Sequence, residues 1–141
     1  MKIKVLVFAC ISLVFILCTM LALSGNFPSS NYGSVGNPTA KEILKGNPDA
    51  DILKLDGLIY YNVSDAEWFN EEVYKKGEKI GKVQKKTTNT WWYLNLYSSK
   101  LPKGTAVFAS NGTDYNKGDA PTFVLVEFRN ELLVYHAARE G

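Results

Sequence analysis

Nineteen consecutive residues, Val5 to Leu23, carry no charge, no proline and no glycine. As a helix this run would be about 28 Å long, close to the roughly 30 Å hydrocarbon core of a bilayer. Lys2 and Lys4 precede it and no positive charge follows until Lys41, a bias that keeps the N-terminus in the cytoplasm and sends the remainder outward. Three fates fit the run. It can stay as a transmembrane anchor. It can be cleaved, since Ala22 and Ser24 place small residues ahead of Gly25. Lipidation at Cys18 is opposed by Leu17 before it and the apolar "TMLAL" behind it. Residues 1–24 are therefore read as a signal peptide or transmembrane anchor. The expected location is the cell membrane with the C-terminal domain outside, or secretion after cleavage near Ser24.

The rest of the chain is electrically balanced. Of the 16 Lys and Arg, two lie ahead of the apolar run, leaving 14 against 14 Asp and Glu. Such a balance gives no electrostatic reason to expect nucleic acid. Cys10 and Cys18 both sit inside the apolar run, so the remainder has no disulfide and no thiolate metal site and must be held by packing. No metal and no cofactor is expected.

In "GNFPSSNYGSVGNPT", Gly25 to Thr39, Gly, Pro, Ser and Asn fill 11 of 15 positions, too polar to order itself. Residues 25–49 are expected to be a flexible linker. Within it, Thr39 and Glu42 have capping-box spacing, which predicts one or two helical turns over "AKEILK" before Gly46.

Residues 50–141 read as a β-rich extracytoplasmic domain. "DILKL" and "LIYYN" flank Asp56-Gly57, the pair best suited to a two-residue hairpin turn. Ser64 and Glu67 repeat the capping-box spacing and predict a short helix over "DAEWFNEEVY". Further strands are predicted at "KIGKV", "NTWWYLNL", "GTAVFAS", "PTFVLVEF" and "LLVYHA". The expected fold is mainly β: a small barrel or sandwich of about seven short strands with one short helix, preceded by an N-terminal hydrophobic helix. For the last pair, a turn at Asn130-Glu131 would place Arg129 opposite Leu132 and Phe128 opposite Leu133. One face then carries Val124, Val126, Phe128, Leu133, Tyr135 and Ala137 and reads as core. The other mixes apolar residues with Glu127, Arg129 and His136, the last near Leu125.

Several groups invite a chemical reading. His136 is the single histidine, and an envelope hydrolase would need it beside carboxylates that the sequence does not place. "DYNKGD" starts like a calcium loop, but the sixth and twelfth positions hold Asp119 and Leu125 where glycine and glutamate belong; it reads as a turn-rich loop. Lys75 to Lys86 contains six lysines and one acid, which suits an anionic polymer or lipid surface, or simply a protected sheet edge. There is no glycine-rich phosphate loop, serine elbow or two-histidine helix motif.

The strongest binding signal is "TWWYLNLY". Alternation puts Trp91 and Tyr93 on one face of a strand and Trp92 and Leu94 on the other. If one face meets water, exposed aromatics can stack on sugars, sit at a membrane interface or anchor a protein. If both faces are covered, the same residues are core. Trp91, Trp92 and Tyr93 are the candidate ligand-binding residues, and no catalytic residue is assigned.

"ADILKLDGLIYYN" at 50–62, "EW" at 67–68, "KGEKIGKV" at 76–83, "KLPKGTAVF" at 100–108 and the closing "EG" resemble a group of small exported proteins of unknown function from Gram-positive bacteria. The resemblance spans nearly all of the domain and carries over no catalytic or binding residue, since its motifs are turn chemistry. Together these observations predict a non-catalytic binding module at the cell envelope. Its partner would be a cell-wall polymer, the membrane surface or an envelope protein. The alternatives are the hydrolase built on His136, and a structural or inhibitory partner of another envelope protein.

Overall fold

The computed structural model describes residues 36–140. The predicted N-terminal helix and residues 25–35 of the predicted linker lie outside them. Among the described residues no helix is long and apolar enough to cross a membrane.

One short helix, α1 (Ala40–Gly46), precedes eight strands: β1 (Ile52–Leu55), β2 (Leu58–Asn62), β3 (Lys76–Lys82), β4 (Lys85–Lys86), β5 (Tyr97–Ser98), β6 (Ala106–Ser110), β7 (Phe123–Phe128) and β8 (Glu131–Ala137). They form one sheet in the order β3-β6-β7-β8-β2-β1-β5-β4. The two outermost strands are separated in sequence by Val83 and Gln84 alone, so the sheet must curl until its ends approach. At that corner the Val83 N–H donates to the Thr105 carbonyl and the Gln84 N–H to the Leu96 carbonyl. The result is a curled half-barrel rather than a two-sheet sandwich.

The first hairpin forms as predicted, with Leu55 opposite Leu58. Asp56 (φ 49°) and Gly57 (φ 83°) both take the left-handed backbone that a type I′ turn requires. Inside the curl, Leu53, Leu55, Tyr60, Val107, Val124, Val126 and Tyr135 form the main core. The outer face of β1 and β2 is covered by α1, whose Ala40 and Leu44 are buried against Ala50, Ile52, Ile59 and Tyr93. The predicted capping box is present, with Thr39 and Glu42 bonded reciprocally. Residues 40–49, predicted as linker, therefore belong to the folded unit: two apolar side chains one turn apart give the capped helix a face to bury.

The β7–β8 pair forms, with its turn at Arg129-Asn130 instead of Asn130-Glu131. Phe128 lies opposite Glu131 and Val126 opposite Leu133. The shift from the predicted register is two residues, so every side chain keeps its face and the predicted core set stands. His136 pairs with Phe123, not Leu125.

Two predicted elements do not form. The stretch over residues 65–74 is a run of turns whose one helical piece is a 3-10 turn at Glu71–Val73. Ser64, the expected cap, instead accepts the Val134 N–H at 2.9 Å, so the hydroxyl that would start a helix is taken by β8. From there the chain crosses the outside of the sheet toward β3, and Tyr74 packs 5.3 Å from Phe123. The second missing element, the strand over "NTWWYLNL", is the candidate site.

Candidate functional site

Between β4 and β5 the chain turns at Trp91–Trp92 and again at Asn95–Leu96. Side chains ahead of the first turn compete with any strand ladder. Thr87 Oγ1 accepts the Asn89 N–H at 3.0 Å, and Asn89 Oδ1 accepts the Trp91 N–H at 3.0 Å. At the second turn Leu96 adopts φ 58°, a conformation that costs a non-glycine residue about 1–3 kcal/mol and persists only where its surroundings impose it. They do so here. The Leu96 N–H donates to the Lys54 carbonyl at 2.7 Å, Asn95 Oδ1 accepts the Asp56 N–H at 2.8 Å, and the Leu96 side chain packs on the main core.

Within this frame the four apolar residues part company. Tyr93 is 5% exposed, seated in the outer cluster with Ile52 and Leu44 and edge-on to Tyr97 at 6.2 Å. Lys54 Nζ donates to its carbonyl at 2.8 Å. Burial pushes the Tyr93 hydroxyl above its ordinary range. Trp91 and Trp92 are 87% and 74% exposed, and Leu94 is half exposed. Strand alternation would have paired Trp91 with Tyr93; the turn separates them and leaves both indoles in water. Of the three candidate residues, the structure thus presents Trp91 and Trp92 to solvent and makes Tyr93 their anchor. Asn89 and Asn95, turn formers flanking the aromatic run, are the signal that distinguishes this loop from a strand.

The remaining candidates are placed elsewhere. The His136 ring lies 4.8 Å from that of Phe123 and opposite Tyr61 across the β2–β8 pair. Among the described residues it hydrogen-bonds to no carboxylate. "DYNKGD" is a loop closed by the Asn116 N–H on Asp119 Oδ2 at 2.6 Å, and among the described residues no three metal-ligating side chains converge. An open cleft beside α1 is lined by Glu42, Asp49, Asp51, Tyr61 and Asn62. Its carboxylates are engaged. Thr39 holds Glu42, first through its backbone N–H, below the usual carboxylate range. Lys100 pairs with Asp49 at 3.2 Å. Asn62 and the Tyr135 hydroxyl take the two oxygens of Asp51. The lysine-rich segment forms β3 and β4, the two edges of the sheet. No family model, curated protein or solved structure matches the chain.

Proposed function

We propose that this chain is a non-catalytic binding module of the cell envelope that engages its partner through Trp91 and Trp92. One observation carries the reading: two adjacent indoles, 87% and 74% exposed, project from a loop whose neighbours Tyr93 and Leu96 are packed on the fold. Water-exposed tryptophan is costly, and large amphipathic rings are the commonest binding anchors. Because the loop is held from below, little ordering entropy is lost when a partner covers the rings. The apolar N-terminal run brings the domain to the envelope, either as a retained anchor or as an export signal. A wall polymer, the membrane surface and an envelope protein all offer surfaces that indole rings cover.

The test is partition of the full-length chain and Trp91→Ala/Trp92→Ala among wall, membrane and medium fractions. The reading expects wild type to be retained on one envelope fraction after washing, with at least tenfold loss of specific retention in the double variant (about 1.4 kcal/mol) and unchanged folding. Equal retention of both proteins contradicts it.

A further inference from the structure

β3 carries two register shifts against β6, one between Lys76 and Lys79 and one between Lys79 and Gly81. On an unbroken strand, residues three apart alternate between faces, so Lys79 would lie on the face opposite Lys76 and Lys82. Each shift adds one residue, and the pairs become Lys76 with Ser110, Lys79 with Phe108 and Lys82 with Ala106. Directly opposed residues share a face. Val107 and Ala109, which alternate with those three partners, are buried toward the core. All three lysines therefore stand on the outer face.

Lys85 extends the row beyond the corner. It pairs with Tyr97, its ammonium lies 5.9 Å from that ring, and Tyr97 packs on the outer cluster. Lysines at four positions spaced by three, 76 to 85, thus lie on one side. Along β3 their backbone roots are about 7 Å apart, two residues of the partner strand.

The row's charges are largely free. Glu78, the single acid within the segment, accepts the Tyr115 N–H at 2.8 Å. Lys76 reaches across Phe108 to Glu127 at 2.9 Å. The ion pairs among the described residues leave Lys79, Lys82 and Lys85 without a carboxylate. Edge protection asks for charge and a bulge; it does not ask that successive charges return to one face.

We infer that the outer face of residues 76–85 is a binding row for a linear polyol-phosphate polymer, with successive phosphates on successive lysines. A row one strand wide on a convex surface fits a line of charge rather than a plane. Lysine binds phosphate as a point charge, and a row without arginine offers no planar fork for bidentate pairing with carboxylate or phosphate. Both arginines, Arg129 and Arg139, stand outside the row. The row shares no residue with the tryptophan loop, so lysine and tryptophan variants test the two readings separately.

The experiment titrates labelled poly(glycerol phosphate) into purified full-length protein between about 50 and 200 mM salt. Three neutralised phosphates give a slope of log K against log salt near −2, taking about −0.7 per phosphate on a single-stranded polyanion. Lys79→Gln/Lys82→Gln should weaken binding at least tenfold and flatten the slope by about 1.4. Lys41→Gln/Lys45→Gln on α1, with the same change in net charge, should bind as wild type. Absence of wild-type binding, or equal losses in the two lysine pairs, overturns the proposal. So does equally tight binding of polyglutamate or of a single-stranded oligonucleotide of matched charge.

Discussion

Lys54 Nζ donates to the Tyr93 carbonyl at 2.8 Å, tying the tryptophan-bearing loop to the first hairpin. With the Tyr93 ring buried beneath it, this bond makes presentation of the indoles a property of the fold. Tyr93→Ala is expected to cost about 3 kcal/mol, the usual penalty for removing a buried aromatic ring. Trp91→Ala and Trp92→Ala, at exposed positions, should each stay within about 0.5 kcal/mol of wild type. Urea denaturation of the three variants measures the contrast, and equal losses would mean that the indoles are structural.

The Tyr115 hydroxyl donates to the Asp56 carboxylate at 2.9 Å, and Asp56 also accepts the Ala120 N–H at 3.1 Å. One turn residue thereby pins the loop over 111–120 to the first hairpin. Tyr115→Phe should cost about 1 kcal/mol, the net value of one hydrogen bond. Asp56→Ala should cost more, since it removes both bonds and the residue tolerant of φ 49°. Asp56→Asn, which keeps an acceptor and suits the turn, should fall between wild type and Asp56→Ala.

Alkaline pH should weaken the fold in a defined window. Burial, then the bond to Asp56, pushes the Tyr115 hydroxyl from 10.0 up to about 12. Tyr60, Tyr93 and Tyr135 move the same way, each chiefly through burial. A raised folded-state pKa means that the native protein keeps a proton the unfolded chain releases. Above pH 10.0 the unfolded state binds fewer protons, so stability falls as pH rises. Tyr115 contributes to this decline up to about 12. Denaturation midpoints should be flat just below the onset and decline above it, less steeply in Tyr115→Phe; an unchanged midpoint through the window contradicts the shifts.

The two glycines of β3 should respond differently. A Cβ at Gly77 would meet the Ala109 carbonyl oxygen and the Gly112 backbone at 3.1 Å, whereas one at Gly81 would meet only the Leu96 side chain, at 2.9 Å. Backbone cannot step aside, so Gly77→Ala should cost about 1–3 kcal/mol and Gly81→Ala less. Thermal unfolding of the two variants ranks them.

Leu44 tests where the domain starts. Buried under the outer cluster from α1, it should cost about 2–3 kcal/mol on replacement by alanine. A change within experimental error would return α1 to the linker.

How much of this was legible before folding follows from the range of each interaction. Asp56-Gly57 and the Thr39–Glu42 box are local: the residues that specify each feature also satisfy it, and both formed. The β7–β8 faces were legible but their register was not, because a two-residue shift maps every side chain to the same face. "DAEWFNEEVY" failed as a helix when Ser64 was claimed by Val134, a partner 70 residues away. "NTWWYLNL" has strand composition, but Asn89, Asn95 and the tie from Leu96 to Lys54 impose turns. The lysine row was hidden by its spacing, since threefold repetition looks two-faced until bulges are known. Gly77 and Gly81, small residues inside a strand, were the available hint.

The most direct measurement is tryptophan fluorescence of the full-length protein carrying Trp68→Phe, alone and with isolated envelope fractions. In the free protein Trp91 and Trp92 should emit as water-exposed indoles and be fully open to a neutral quencher. Adding the fraction that retains the protein should shift the emission to shorter wavelength and protect it from quenching. An emission unchanged by every envelope fraction, or already shielded in the free protein, would contradict a binding role for this loop.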